Sequence, residues 1–143
     1  MIRIFSSAGY GVTRAQVSDW LKKDDNPEYK KCSDTRLALF LNGLISDKRG
    51  QKKGLQPAPE KLLTNNIVFR KIKIALNLKD EDILEIMALA HLPISKHELS
   101  AFFRKPDHKH YRDCKDQILR YFLKGLQVKY RTDAHLKVES PYL

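Results

Sequence analysis

The side chains of this sequence that could do chemistry are cations, hydroxyls and a histidine along two short segments. Arg14, Ser18 and Lys22 recur every four residues, the spacing that places side chains on one helix face. The second segment carries a similar set: Lys96, His97, Ser100, Arg104 and Lys105. Lysine and arginine neutralise phosphates, whereas serine and histidine can hydrogen-bond to base edges. These eight residues are the candidate nucleic-acid-binding site; the alternative for each is a solvated basic helix face.

The charge of the chain agrees with an anionic partner. Its 143 residues include 27 Lys and Arg against 17 Asp and Glu, so the net charge is +10 at pH 7. Ten cations and four acidic residues lie between residues 96 and 131, while acidic residues cluster at 80–85. Such segregation is expected if one surface faces a polyanion.

The chain contains an internal repeat. Residues 1–49 align without a gap with residues 83–131, at an offset of 82, and 14 of the 49 positions are identical. Chance would give about three identities. Many other pairs keep their chemistry, such as Trp20 with Phe102. The sequence therefore predicts an all-α fold of two tandem helical repeats, each a helix-turn-helix-like four-helix unit, with the first repeat lacking its N-terminal helix.

The domain organisation follows from this repeat. We predict an incomplete first repeat over 1–49, a linker over 50–63, a second repeat over 64–131 and a flexible tail over 132–143. Apolar periodicity predicts helices near 2–9, 14–22, 34–47, 66–78, 81–91, 96–104 and 115–128. The missing helix would leave a surface bare, so either the true N-terminus lies upstream or a partner chain covers the gap.

Local signals predict where helices begin and which residues form the core. Two pairs fit the capping-box pattern: Thr13 with Gln16, and Ser95 with Glu98. The last helix of each repeat is the most apolar, so we expect these helices to pack together. The residues predicted to be buried there are Phe40, Leu41, Leu44, Phe122, Leu123 and Leu126.

Two stretches of the chain carry a family resemblance. One is NNIVFRKIKIALNLKDEDILEIMALA continuing through ISKHELSAFFRKPDHKHYRDCKDQILRYFLKGL, and its weaker echo is GYGVTRAQVSDWLKKDDNPEYKKCSDTRLALFLNGL. Together they resemble the YehS-like family of uncharacterised bacterial proteins over nearly all of residues 1–131. Members of that family carry both repeats complete, so this chain departs from the pattern at its N-terminus. The resemblance implies an uncharacterised cytoplasmic bacterial protein, and it supplies no activity or functional residues.

A looser resemblance is to repressor-type helix-turn-helix units. A turn glycine, an apolar residue, a polar cap and two further apolar residues occur in order at Gly11, Val12, Thr13, Val17 and Trp20. The pattern also has a small residue four positions before the turn, which is Ser7 in the first repeat. The second repeat matches less well, because Leu89 stands at that position. In this geometry the apolar residues hold the recognition helix and leave its other face for a major groove. Asp19 at such a groove position argues mildly against DNA.

Other chemistries have weaker support. His108, His110, Cys114 and Asp116 could be taken as metal ligands, but the first repeat has no histidine at the equivalent positions. Cys32 lies, like Cys114, just before a predicted helix, where a thiol pKa can fall, although a small half-buried residue is the favoured interpretation. We therefore predict no metal, no cofactor and no enzymatic activity.

The sequence leaves two functional hypotheses. The first is a basic nucleic-acid-associated module, binding DNA or RNA through its two helix-turn-helix-like units. The second is a helical protein-interaction or adaptor module whose apolar surface, at the missing-helix gap, receives a protein partner. Two cysteines and no apolar run of roughly 20 residues favour a cytoplasmic protein without membrane association.

Overall fold

The chain folds into helices joined by short turns. A computed structural model describes residues 1–7, 11–50 and 59–138, and these residues form seven helices and no strand. The helices are α1 (Ile2–Ser7), α2 (Arg14–Trp20), α3 (Asp34–Arg49), α4 (Asn65–Ala75), α5 (Asp80–Leu89), α6 (Lys96–Phe102) and α7 (Asp116–Val138). The all-α prediction is confirmed for this part of the chain. Predicted helix residues 8 and 9, linker residues 51–58 and tail residues 139–143 lie outside it.

Helix α7 differs most from its predicted bounds. It continues to Val138, beyond the predicted end near residue 128 and into the predicted tail, where residues 132–138 are helical. The sequence from 127 to 138 contains neither glycine nor proline, and extending an existing helix costs far less than starting one. Helix α4 ends earlier than predicted, at Ala75, and Asn77 then adopts a left-handed φ of 52°.

The helices belong to two compact units, Met1–Asn77 and Leu78–Leu143. In the first unit α3 packs against both α1 and α4, and in the second unit α5 packs against α6 and α7. Helix α4 therefore belongs to the first unit, whereas the sequence assigned it to a second repeat beginning at residue 64. Periodicity identifies the apolar face of α4, with Phe69, Ile72 and Ala75 buried, but it does not identify the neighbour that buries this face.

The same close helix approach occurs in both units. A Cβ atom on Gly43 would lie 2.0 Å from the carbonyl oxygen of Ile4, and one on Gly125 would lie 2.2 Å from that of Ile86. Each pair of equivalent residues is 82 positions apart in the chain. Glycine thus allows α3 to approach α1, and α7 to approach α5, at a distance that no side chain would permit.

The turns after α2 and α6 also share their hydrogen bonds. The amide of Lys30 donates to the carbonyl of Asp19 at 3.1 Å, and the amide of Arg112, 82 residues on, donates to the carbonyl of Ala101 at 3.2 Å. Because equivalent backbone groups make equivalent bonds, each polar loop returns to its preceding helix in the same way.

The predicted core is confirmed in part. Leu41, Phe122 and Leu126 are buried, and Phe40 and Leu44 are half-buried. The prediction is wrong for Leu123, which is 45% exposed. Apolar residues surround much of α7, so its composition does not show which face meets α5. The expected packing of the two last helices against each other stays a prediction. None of the described helices is long and apolar enough to cross a membrane.

Candidate nucleic-acid interface

Capping boxes fix the first turns of the two candidate helices. The Thr13 hydroxyl accepts from the amide of Gln16 at 3.1 Å, and the Gln16 side chain accepts from the amide of Thr13 at 2.8 Å. The Ser95 hydroxyl and the Glu98 carboxylate make the same reciprocal pair at 3.0 and 3.2 Å. Both predicted capping boxes are confirmed, and each satisfies two helix-terminal amides.

The three predicted residues of the first unit lie together. Arg14 and Ser18 are exposed, and with the half-buried Lys22 they line one shallow depression beside α1. The Lys22 ammonium lies 2.7 Å from the Asp19 carboxylate and 3.1 Å from that of Glu28. These hydrogen bonds, first to Asp19 and then to Glu28, raise the pKa of Lys22 above its ordinary value. The ammonium therefore stays charged, and the two carboxylates already offset part of its positive charge.

The five predicted residues of the second unit lie along α6 and the turn after it. Lys96, His97 and Lys105 are exposed, while Ser100 and Arg104 are half-buried. The Lys96 ammonium lies 3.9 Å from the Glu81 carboxylate, a loose surface ion pair that contributes little.

The Ser100 hydroxyl makes a hydrogen bond within its own helix. The hydroxyl donates to the carbonyl of Lys96 at 3.0 Å, so this proton is used inside the helix and does not point to a ligand. Serine within a helix commonly bonds back to the carbonyl four residues earlier, because the short side chain reaches it easily. Ser100 can still accept a hydrogen bond but has no free donor in this conformation.

Sequence reasoning missed several residues near these helices. Lys23 is exposed and is identical to its counterpart Lys105, so the repeat alignment contained the signal that could have found it. Met1, Arg3, Val17 and Leu21 line the depression with the predicted cations, although Arg3 pairs with Asp47. Leu21 is 66% exposed, which makes this depression apolar as well as basic.

The histidine-rich turn after α6 is held by its own contacts. The His108 Nδ1 atom accepts a hydrogen bond from the amide of His110 at 3.0 Å, and the two rings pack with centroids 5.5 Å apart. Within the described ranges, no group of three or more His, Cys, Asp or Glu residues could hold a metal ion.

The two cysteines lie in environments that disfavour the thiolate. Burial raises the pKa of the Cys114 thiol from 9.0 to about 11, and burial also raises the pKa of the half-buried Cys32. The possibility that a helix N-terminus lowers these pKa values is therefore not realised. Desolvation outweighs the helix dipole here, because it penalises the charged form directly.

We expect Cys114 to react slowly with thiol reagents. Near pH 8 a thiol of pKa about 11 carries about 100-fold less thiolate than one of pKa 9.0, and the thiolate is the reactive species. A Cys32→Ser variant isolates Cys114, and its labelling rate should rise at least about 100-fold when urea unfolds the protein. Equal rates in the folded and unfolded protein would contradict this assignment.

Comparisons with known proteins place the chain in a family. It is 43% identical over 131 residues to the uncharacterized protein YehS of Escherichia coli (strain K12), an alignment that covers 90% of this chain and 83% of the relative. No solved structure matches the chain. The model of a family described as "protein of unknown function (DUF1456)" matches residues 1–50 and 65–132. The resemblance to YehS-like proteins is confirmed, and the chain belongs to the DUF1456 family.

Proposed function

We propose that this protein is a non-enzymatic nucleic-acid-associated module that binds through the outer faces of α2 and α6. One observation carries the proposal: both units place cations at the same three positions of this helix and its following turn. The aligned pairs are Arg14 with Lys96, Lys22 with Arg104 and Lys23 with Lys105. A repeated cation pattern on a chain of net charge +10 suits a polyanion, whose own charges also repeat.

Packing supports the use of these faces. In α6 the inner side is anchored by Leu99, which is fully buried, and by Phe102, which is nearly so. Lys96 and His97 are exposed in the first turn of the same helix. A short helix held by one buried face leaves its other face for a ligand, as in helix-turn-helix proteins. We place this activity in the cytoplasm.

The ion pairs of the two units differ, and this difference predicts unequal contributions to nucleic-acid affinity. Lys22 donates to two carboxylates, whereas Arg104 at the equivalent position has no acidic partner among the described residues. A phosphate must displace Asp19 and Glu28 to reach Lys22, which costs part of what the new contact contributes. The second unit should therefore supply more of the affinity than the first.

Lys96→Ala combined with Arg104→Ala should weaken binding to a random pool of labelled duplex DNA. Each lost phosphate contact should flatten the dependence of log affinity on log salt by about 0.9, since fewer counterions are released. The matched control is Lys22→Ala, which should change affinity less than Arg104→Ala. Fluorescence anisotropy at several salt concentrations measures both, and an RNA pool run in parallel shows which nucleic acid is preferred.

The hydroxyls provide a second test of the same interface. Ser18→Ala should leave the salt slope unchanged, because the hydroxyl carries no charge, and should alter only a preference for particular sequences. Wild-type affinity that is weak and disappears near physiological salt would contradict the proposal. Equal losses in the Lys22→Ala and Arg104→Ala variants would contradict the unequal contributions expected of the two units.

A second candidate function, a protein-interaction module, has an observation of its own. Met1, Val17 and Leu21 place apolar surface beside Arg14 in the depression of the first unit. Exposed apolar residues rimmed by charge are typical of protein interfaces. A partner that survives nuclease treatment and is lost in a Leu21→Ser variant, with Arg14→Ala binding it normally, would favour this function.

A further inference from the structure

Helix α7 has a basic face that neither α2 nor α6 contributes to. Arg120, Lys124 and Arg131 are all exposed, and their spacing of four and seven residues places them along one side of the helix. The rise of an α-helix separates the first two by about 6 Å along the axis and the last two by about 10 Å. Three cations therefore form a row about 16 Å long.

No acidic residue in the part of the chain that the structure describes neutralises the charges of this row. Among the described residues, Arg120, Lys124 and Arg131 have no acidic partner, in contrast to Lys22, which donates to Asp19 and Glu28. Like charges four residues apart on one helix destabilise it slightly. A row of unpaired like charges is better explained by an external anion than by the stability of the helix.

The equivalent face of α3 is covered by another helix of its own unit, and its residues differ in kind from those of α7. Ala38 and Asn42 align with Arg120 and Lys124, and they are 0% and 5% exposed in the first unit. Helix α4 packs on α3, and the Lys71 ammonium donates to the Asn42 side chain at 2.6 Å. A helix can pack on this face of α3 because Ala38 is small and the Asn42 side chain is hydrogen-bonded to Lys71. Arginine and lysine in their place would have to be buried and desolvated, which is costly.

An aromatic side chain lies beside the cations. Tyr121 and Gln117 line a shallow depression of about 480 Å³ together with Arg120 and Lys124. Asp116 lines it as well, at the N-terminal end of α7. Proteins that bind single strands combine a positive surface along the backbone with aromatic rings on which bases stack. The depression has both parts.

We propose that the α7 face binds single-stranded nucleic acid, with phosphates on Arg120, Lys124 and Arg131 and a base against Tyr121. Asp116 repels phosphate at the N-terminal end of α7, so the strand occupies the part of the helix between Arg120 and Arg131. A duplex buries its bases and would leave Tyr121 unused. This site goes beyond the α2 and α6 interface and does not depend on it.

The test compares charge-reversal variants of the full chain. Arg120→Glu with Lys124→Glu should weaken binding of labelled oligothymidylate and oligouridylate, each about 20 nucleotides long, by about tenfold or more. The salt slope should fall by about 1.4, which is two single-strand contacts at about 0.7 each. The matched control is Lys61→Glu with Lys109→Glu, two exposed lysines outside both interfaces, which changes the net charge equally. Circular dichroism checks that each variant is folded.

Two further variants separate the contribution of base stacking from that of the α6 interface. Tyr121→Leu should weaken oligonucleotide binding with the salt slope unchanged, because stacking releases no counterions. A Lys96→Glu with Lys105→Glu variant tests the α6 interface alone. If it loses duplex binding but keeps oligothymidylate binding, both proposals hold. If it keeps both, the α6 proposal fails and the α7 site stands.

Four results would overturn the α7 site. They are oligonucleotide binding absent in the wild type, losses in the Lys61 and Lys109 control equal to those of the Arg120→Glu with Lys124→Glu variant, and, in the latter variant, a loss of duplex binding or of polyglutamate binding equal to its loss of oligonucleotide binding. The last would mean a general polyanion surface, which includes acidic proteins.

Discussion

Replacing Phe122 by alanine should lower the free energy of unfolding by about 3–5 kcal/mol, whereas Leu123→Ala, one residue along the same helix, should cost well under about 1 kcal/mol. Phe122 is completely buried and Leu123 is 45% exposed. Removing a buried ring loses its transfer free energy and leaves a cavity, while an exposed leucine has little to lose. Chemical denaturation followed by circular dichroism measures both variants.

The pair is a sharp test because the sequence does not distinguish its members. Phe40 and Leu41 are the same two residues in the first unit, yet there Leu41 is buried and Phe40 is half-buried. Because α3 packs against α1 and α4, its buried arc differs from that of α7. Similar losses for Phe122→Ala and Leu123→Ala would mean that α7 buries a wider arc than the structure shows.

Gly43→Ala should also be destabilising. Alanine is favoured over glycine inside a helix by about 1 kcal/mol, so propensity alone predicts a gain. The new Cβ, however, would lie 2.0 Å from the Ile4 carbonyl oxygen, and this backbone atom moves only if α1 moves away from α3. Overpacking of this kind typically costs about 1–3 kcal/mol, which outweighs the gain in propensity.

The matched control is Gly11→Ala, where an added Cβ meets nothing within 4 Å. It should change the free energy of unfolding by no more than about 0.5 kcal/mol. Gly125→Ala should repeat the loss in the second unit, because its Cβ would meet the Ile86 carbonyl oxygen at 2.2 Å. A Gly43→Ala protein as stable as wild type would show that α1 and α3 do not approach this closely.

The sequence by itself determined the features of this protein that depend on neighbouring residues. Thr13 and Ser95 open their helices as predicted, because a capping box closes within four residues. The seven helices lie near their predicted positions, since each is set by its own apolar spacing, caps and breakers. Family membership was also readable, because the residues that carry it are continuous stretches of the chain.

Only the tertiary structure decided which surfaces are covered. The neighbour of α4, the exposure of Leu123 and the ion pairs of Lys22 depend on groups brought near by folding. The cations of α7 were visible in the sequence, but the sequence did not show that they have no acidic partner among the described residues. Hydrophobic burial has no direction of its own, so an apolar stripe can pack against any complementary neighbour. Which neighbour it meets decides which charges remain for a ligand.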